Sequence, residues 1–514
     1  MVLRKKKEMN IIQHFLKKAV LYPDKAAIID PKHRISFKQL KSEIEETAAY
    51  FYKKGIRAGD RVLIFVPMSV ELYRTVLAIF YMGATAVFLD EWVSKKRLEV
   101  CCDIADCKAF IAVSKVRILA IFSKAIRKIP IHLGTSYKGS DQKIAMYPAN
   151  GEETALITFT TGSTGIPKAA KRTHAFLNEQ FDALKKAVEP QVKDVDMPVL
   201  PIVLLLNLGI GCTSVIADFK ASKPNKIVPK KIINQINKYQ VNRLTASPFF
   251  IKVLARYLIE TKQNTPTLKK VFTGGAPVFP NEASLYNEAF GDTHIRVVYG
   301  STEAEPISSI DTKTLTNAQN KNITKGLNVG VPYGDLIEVK IIKIIEDVIE
   351  LNHENDLDEM PKGNIGEIIV AGKHVLRAYF NNEAALKRNK IFIGDKVWHR
   401  TGDAGYFGDN GTLYLTGRCS SMIPTENTWI APFLYENALQ NIEGVEMGTV
   451  LKFKDKILVI IEAEAGATKE KIQEQIEGSN LHFNEIKFIP KIPRDPRHNS
   501  KVAYKVLQQQ LVNS

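Results

Sequence analysis

Cysteine is scarce: five residues in a chain of 514. A sparse, odd set builds no disulfide framework, so folding in a reducing compartment is expected, and with it a cytoplasmic location. Cys101, Cys102 and Cys107 lie close together, but no second Cys or His pair at zinc spacing accompanies them. They are expected to be small buried apolar side chains rather than metal ligands. Long apolar runs are also missing. Met197 to Ala217 comes nearest because it carries no charge. Pro198, Pro201, Asn207, Gly209 and Gly211 break it into strand, turn and helix start, so it reads as buried core beside a pocket and not as a transmembrane segment. The first residues, Met1-Val2-Leu3-Arg4-Lys5-Lys6-Lys7, lack the apolar stretch and small-residue cleavage site of a secretory signal. Internal repeats and low-complexity tracts are absent, which excludes solenoids and disordered linkers.

The charge that is present is basic. Lys and Arg number 71 against 55 Asp and Glu, a net charge of +16. The lysines are scattered, and no module interleaves aromatic and basic residues, so nucleic acid is not an expected partner. A weak, salt-sensitive contact with an anionic membrane surface is the residual reading of this charge. Apolar residues make up 45% and charged residues 25% of the chain, the balance of a globular protein long enough for more than one domain.

Helical and strand patterns alternate through the first part. Phe37 to Lys54 has apolar residues at helical spacing, and Arg61 to Val66 follows as a short buried strand. Glu71 to Tyr81 reads as a helix stopped by Gly83, and Thr85 to Leu89 as another strand. Such alternation implies parallel sheets covered on both faces. The strand 155–160 is expected to run into a Gly/Ser/Thr loop and then a helix, where α/β proteins place phosphate sites. From about residue 345 the texture changes: 345–362 reads as an exposed hairpin or loop, and Glu367 to Val370 and Thr412 to Leu415 as antiparallel strands. A strand at Lys456 to Ile461 and a helix at Lys469 to Glu477 belong to a separate C-terminal unit. The expected architecture is α/β, with a large N-terminal domain, 1–417, of parallel-rich sheets flanked by helices plus a small barrel-like part. A small mobile α+β lid, 418–514, follows, with a hinge near 418–421.

The strongest chemical signal is Phe159-Thr160-Thr161-Gly162-Ser163-Thr164-Gly165-Ile166-Pro167-Lys168. Glycines let a backbone fold so that its N–H groups face an anion; hydroxyls add donors, and a lysine supplies a point charge for phosphate. The string is not a Walker loop, because Lys168 follows a proline and precedes neither Ser nor Thr.

This string resembles the phosphate-binding loop of the adenylate-forming superfamily: acyl-CoA synthetases, luciferases and the adenylation domains of peptide synthetases. Further segments resemble that family in the same order. They are Tyr22 to Ile28 (its opening segment), Gly274-Gly275-Ala276-Pro277 (its adenine-side loop) and Tyr299-Gly300-Ser301-Thr302-Glu303. Thr401-Gly402-Asp403 with Gly417-Arg418, and Pro493 to Lys501, complete the series. The resemblance covers nearly the whole chain and implies an ATP-dependent ligase that converts a carboxylic acid to its acyl-AMP. It also implies roles. Thr160 to Gly165 and Lys168 would cradle the phosphates, and Glu303 would bind Mg²⁺, a hard cation suited to oxygen ligands. Thr302 would donate to the α-phosphate. Gly275, Ala276, Pro277, Tyr299 and Gly300 would border the adenine. Asp403 would accept both ribose hydroxyls with Arg418 beside it. Lys501 would bridge the attacking carboxylate and the α-phosphate.

Three departures narrow the expectation. Ala169 stands where Gly is common. Leu200 to Gly209 lacks the His of the family's corresponding segment, and its aliphatic character favours a fatty or 3-hydroxy fatty acid. After Arg418 the string Cys419 to Trp429 contains no glycine, and Ser420 stands at the hinge position. That fills the passage through which CoA reaches the site in thioester-forming members. Together with the end 496–501 and the segment 299–306, these features look like the olefin β-lactone synthetases, in which the substrate's own hydroxyl displaces AMP. The acceptor stays open between CoA, an acyl-carrier protein thiol and that hydroxyl. The rival function is a nucleotide-binding sensor that has lost its chemistry; such a copy would be expected to lack one of Lys168, Glu303, Asp403 and Lys501, and none is missing.

Overall fold

The computed structural model describes residues 10–89, 95–120, 122–137, 143–160, 167–221, 223–317, 326–425, 429–479, 481–494 and 502–512. Helix Phe37–Lys53 shows how the first part is built. Ser36 and Gln39 exchange side-chain-to-backbone bonds in a capping box, and Phe37, Leu40, Ile44, Ala48 and Phe51 form its buried stripe. Strand Arg61–Phe65 and helix Val70–Tyr81 follow, and that helix is almost entirely buried, as expected of an element between two sheets.

Two large sheets result. Strands Ile131–Leu133, Ala109–Ala112, Arg61–Phe65, Thr85–Phe88 and Thr154–Thr160 pair in parallel, with Lys168–Thr173 added antiparallel at one edge. The second sheet has eight strands. Its six inner ones are parallel (His294–Ser301, Lys270–Gly274, Arg243–Ala246, Val195–Pro198, Thr213–Val215, Ala26–Ile29), and Ala304–Asp311 and Arg34–Ser36 close its edges antiparallel. Met197 to Ala217 resolves into the end of a strand, helix Pro201–Ile210 with proline in its first turn, and strand Thr213–Val215, with Gly211 left-handed at the helix end. No helix among the described residues is long and apolar enough to cross a membrane.

One local expectation is corrected. After strand Thr154–Thr160 the chain does not enter a helix; Lys168–Thr173 returns antiparallel, with Thr160 opposite Lys168. The alternation there is short, Ala169 and Ala170 are fully buried, and only then does Thr173 cap helix His174–Val188. The Gly/Ser/Thr segment therefore joins two strands.

The place of the barrel-like part is taken by a six-stranded antiparallel sheet in which Lys396–Phe407 is central, with Gly366–Ala371, Glu338–Ile342, Lys390–Ile393, Leu413–Arg418 and Leu327–Asn328 around it. The acidic 345–362 stretch is an irregular excursion between two of these strands. The small C-terminal part is α+β: strands Val445–Phe453, Lys456–Ala463 and Glu485–Phe488, with helices Pro432–Gln440, Lys469–Glu477 and Tyr504–Val512. Phe433 packs on Phe279 at 5.0 Å between ring centroids, joining the two parts. Cys101, Cys102 and Cys107 are buried in the core beside the six-stranded parallel-rich sheet, and burial raises the thiols of Cys102 and Cys107 to about 11 and about 12.

Candidate active site

Strands His294–Ser301 and Ala304–Asp311 form a hairpin at the edge of the large sheet, with Ser301 opposite Ala304. Thr302 and Glu303 are its two-residue tip. The Glu303 carboxylate is turned inward, 8% exposed, and accepts from the Tyr379 hydroxyl at 3.2 Å. Lys168 approaches from the other sheet. Its ammonium donates to Asn389 Oδ1 at 2.6 Å and lies 5.7 Å from the Tyr379 ring centre. Burial lowers the Lys168 pKa, and the charge of Glu303 opposes that shift. One segment joins these groups: Leu376 N donates to Glu303 O at 2.7 Å, and Phe380 N to Ala169 O at 2.7 Å. Val375 and Tyr379 thus bridge the hairpin and the Lys168 strand respectively.

Behind this wall stands Lys390, 1% exposed, whose Nζ has no hydrogen-bond partner among the described residues. It lies 5.8 Å from the same Tyr379 ring. Burial brings it down to about 7, against the pull of Glu303. His399 beside it is held neutral by burial and then by the Lys390 charge. Tyr379, Asn389, Lys390 and His399 had no signal in the sequence, since the irregular, helical and strand segments they come from carry no motif of their own.

A second constellation forms where the antiparallel sheet meets the hairpin. Asp403 and Arg418 sit opposite each other on adjacent strands. Arg418 Nη1 donates to Asp403 Oδ1 at 2.6 Å, and the Tyr299 hydroxyl donates to Oδ2 at 2.8 Å. Burial, then the Asp403 charge, pushes the Tyr299 hydroxyl well above its ordinary pKa, so it remains a donor. Each carboxylate oxygen keeps a further acceptor site for a polyol. Gly275, at φ +82°, makes the turn at the end of strand Lys270–Gly274 that brings Ala276 and Pro277 to the same cleft.

Lys168, Glu303, Asn389 and His399 line one cleft of about 2340 Å³ with the Tyr299–Asp403–Arg418 cluster, Gly275 to Pro277, Thr302 and Gly300. Its other walls differ in character. One arm is aliphatic, formed by Leu200, Pro201, Ile202 and Leu205 with Leu72 and Val76. The opposite side belongs to the C-terminal part, including Glu436, Gly448, Arg494 and Tyr504. Pro424 and Trp429, paired in a short ribbon, also line it. The structure thus brings Lys168, Gly275, Ala276, Pro277, Tyr299, Gly300, Thr302, Glu303, Asp403 and Arg418 to one place. Thr161, Gly162, Ser163, Thr164, Gly165 and Lys501 lie outside the described residues, and Thr160 is described only as the last residue of its strand.

Glu436 marks the C-terminal wall. Its Oε1 accepts from Thr449 Oγ1 at 3.0 Å and from the Tyr504 hydroxyl. Burial raises this carboxyl from its ordinary 4.5 to about 7. A raised carboxyl holds its proton longer folded than unfolded, so its contribution is complete below the unfolded value and is lost as pH rises through about 7. Glu436→Gln is therefore expected to match the wild type at pH 5 and to be more stable by about 1–3 kcal/mol at pH 8. Thermal unfolding at the two pH values checks this; an equal difference at both refutes it.

Two parallel-rich sheets, a small C-terminal part and a cleft set with acid, lysine and a Tyr–Asp–Arg cluster make up the framework of an adenylate-forming ligase. Residues 15–380 match the family described as AMP-binding enzyme, and the chain belongs to that family. It is similar to the olefin beta-lactone synthetase of Xanthomonas campestris pv. campestris, 29% identical over 76% of this chain and 73% of that protein. The olefin beta-lactone synthetase of Stenotrophomonas maltophilia is 26% identical over 94% of both chains. Among solved structures, O-succinylbenzoate coenzyme A synthetase from Bacillus subtilis, in complex with ATP and magnesium ion, superposes with a TM-score of 0.80. It is 20% identical over 97% of this chain and 99% of that one.

Proposed function

We propose that the protein adenylates an apolar, 3-hydroxylated carboxylic acid and then releases AMP by attack of the acid's own hydroxyl, giving a β-lactone. The observation that carries the choice of acid is the aliphatic arm of the cleft at Leu200 to Leu205, which offers no charge to an amino or polar aryl substrate. The names of the two olefin beta-lactone synthetases support the choice of acceptor. So does the ribbon of Pro424 and Trp429 against the cleft, where a thiol arm would need room.

In this reading Asp403, steadied by Arg418 and Tyr299, accepts the ribose hydroxyls, and Gly275, Ala276 and Pro277 border the adenine. Lys168, with the 160–165 segment, holds the departing phosphates, and Thr302 donates to the α-phosphate. Glu303 fits a divalent cation: it is a carboxylate at a cleft wall whose second oxygen is not committed to Tyr379. Magnesium bound there would supply charge to the phosphates. Lys501 would bridge the acid and the α-phosphate. A carboxylate oxygen forms a bond to the α-phosphorus as the bond to pyrophosphate breaks. The substrate hydroxyl oxygen then bonds to the acyl carbon, its proton passes to solvent, and the acyl–AMP bond breaks to release AMP. Both reacting groups belong to one molecule, so effective molarity offsets ring strain. The part from residue 418 onward, which carries Lys501, acts as a lid turning about 418–421.

Pyrophosphate release across fatty and 3-hydroxy fatty acids, with and without CoA, tests the reading. Release with 3-hydroxy acids that ignores CoA, with β-lactone as product, is expected. Release that requires CoA would make the enzyme a thioester-forming ligase, and no release with any acid would leave a nucleotide-binding protein.

A further inference from the structure

The most exposed large apolar side chain among the described residues is Phe122, at 74%. Ile118, four residues earlier, is 62% exposed. A single apolar side chain in water is ordinary, but these two stand in a basic field. Residues 95–128 hold nine Lys and Arg against three Asp and Glu, so +6 of the chain's net +16 falls within this stretch. After Asp106 the next acidic residue is Asp141.

The fold turns this composition outward. Helix Ser114–Ala120 follows strand Ala109–Ala112, and its Val116 lines the cleft. Phe65 and Phe88, at the ends of strands Arg61–Phe65 and Thr85–Phe88, line the cleft with it. Ile118 is two positions on, about 200° around the helix, and faces solvent. Phe122 occupies the turn that follows. Ser123 then caps the short helix Lys124–Arg127 by accepting from Ile126 N at 3.4 Å. Ala125, Ile126 and Ile129 are buried in the core, which leaves Lys124, Arg127 and Lys128 exposed. Lys115 and Arg117 are exposed as well. The adjoining helix Lys95–Ala105 brings the acids Glu99 and Asp103, against its own Lys95, Lys96 and Arg97.

Apolar side chains among ammonium and guanidinium groups match an anionic lipid interface, where hydrocarbon enters the acyl boundary and cations meet the headgroups. A nucleic acid would satisfy the charges and offer nothing to Ile118. We propose that the face from Ser114 to Lys128 docks the protein on an anionic membrane surface, and that the acid passes from the bilayer into the cleft beside Val116. Docking is independent of the chemistry; delivery of substrate rests on the reading of that substrate as an apolar acid.

The test sediments the full-length protein with phosphatidylcholine vesicles, with and without phosphatidylserine, at low and high salt. One variant combines Ile118→Ser with Phe122→Ser; the other combines Lys124→Glu, Arg127→Glu and Lys128→Glu. Melting temperature monitors folding, and all five positions are exposed. The wild type is expected to prefer the anionic vesicles and to leave them as salt rises. The apolar pair should lower partitioning by about tenfold or more. The charge variant should lower it by about 100-fold, at about fivefold for each cation lost. Equal binding to neutral and anionic vesicles, no binding, or folded variants that bind as the wild type does would overturn the docking surface. So would calorimetric binding of purified acyl-carrier protein that the substitutions abolish, in a protein that ignores vesicles; the face would then belong to an acidic protein. Pyrophosphate release from a long 3-hydroxy acid supplied in anionic vesicles should fall in both variants, while release from a short soluble one stays. Equal loss with the soluble acid would overturn delivery. Vesicle binding without activation of any acid would leave the docking surface standing and overturn the proposed function.

Discussion

Lys501→Ala is expected to lower acyl-adenylate formation by about 10²–10³-fold, the usual loss when one preorganised donor to a transition-state charge is removed. ATP affinity should change little, because the ribose and adenine contacts are assigned to Tyr299, Asp403 and Arg418. The flanks of the residue show how it can be held. Upstream, Arg494 is ion-paired to Glu462 at 3.1 Å, with both side chains nearly buried, and Ile492 N donates to the same carboxylate at 2.7 Å. Downstream, Val502 bridges back to Arg494, and the Tyr504 hydroxyl is anchored on Glu436. Pre-steady-state formation of acyl-AMP separates the adenylation step from the later one. Hydrolysis or ring closure of supplied acyl-AMP should persist in the variant if the lysine serves adenylation only. Loss of both steps to the same degree would assign it elsewhere. Proteolysis at 418–421 that ATP plus acid does not slow would count against the turning lid.

Asp403→Asn should raise the KM for ATP by about 100-fold. Two ribose hydroxyls bonded to an ionised carboxylate are worth about 1.5–3 kcal/mol each, and an amide returns only part of that. The substitution also leaves Arg418 without its counter-charge and offers one acceptor oxygen where Arg418 and Tyr299 now use two. The effect should fall on KM for the nucleotide far more than on KM for the acid. Equilibrium binding of ATP to wild type and variant, alongside the kinetics, decides the matter: unchanged ATP affinity would remove Asp403 from the ribose site. Arg418→Ala should be milder, since its side chain is 56% exposed and solvent screens much of its attraction to Asp403.

Much of the first part was readable from pattern. The stripe of helix Phe37–Lys53 and the short strand after it follow from apolar spacing, and glycines end the elements where expected. The turn at Thr302 and Glu303 and the pairing of Asp403 with Arg418 could be placed together only through resemblance, since over a hundred residues separate Tyr299 from Asp403 and spacing says nothing across that distance. The strand after the Gly/Ser/Thr segment escaped notice because Lys168-Ala169-Ala170-Lys171-Arg172-Thr173 is too short and too mixed to declare itself; pairing with its neighbour makes it a strand. Tyr379 and Asn389 escaped for another reason. They act through partners from two other sheets, and nothing local distinguishes a tyrosine that will meet a buried carboxylate.

The stretch from Val375 to Phe380 has a wider bearing. It is laced main chain to main chain to the Glu303 hairpin on one side and to the Lys168 strand on the other, and the Tyr379 hydroxyl adds a side-chain bond to Glu303. The span between acid and lysine is thus cut to length by peptide geometry, and side chains elsewhere in the cleft have no vote in it. A protein built this way can exchange the furniture of its acyl arm, residue by residue, while the phosphate end stays in gauge. Divergence in what is activated then needs no re-tooling of how it is activated.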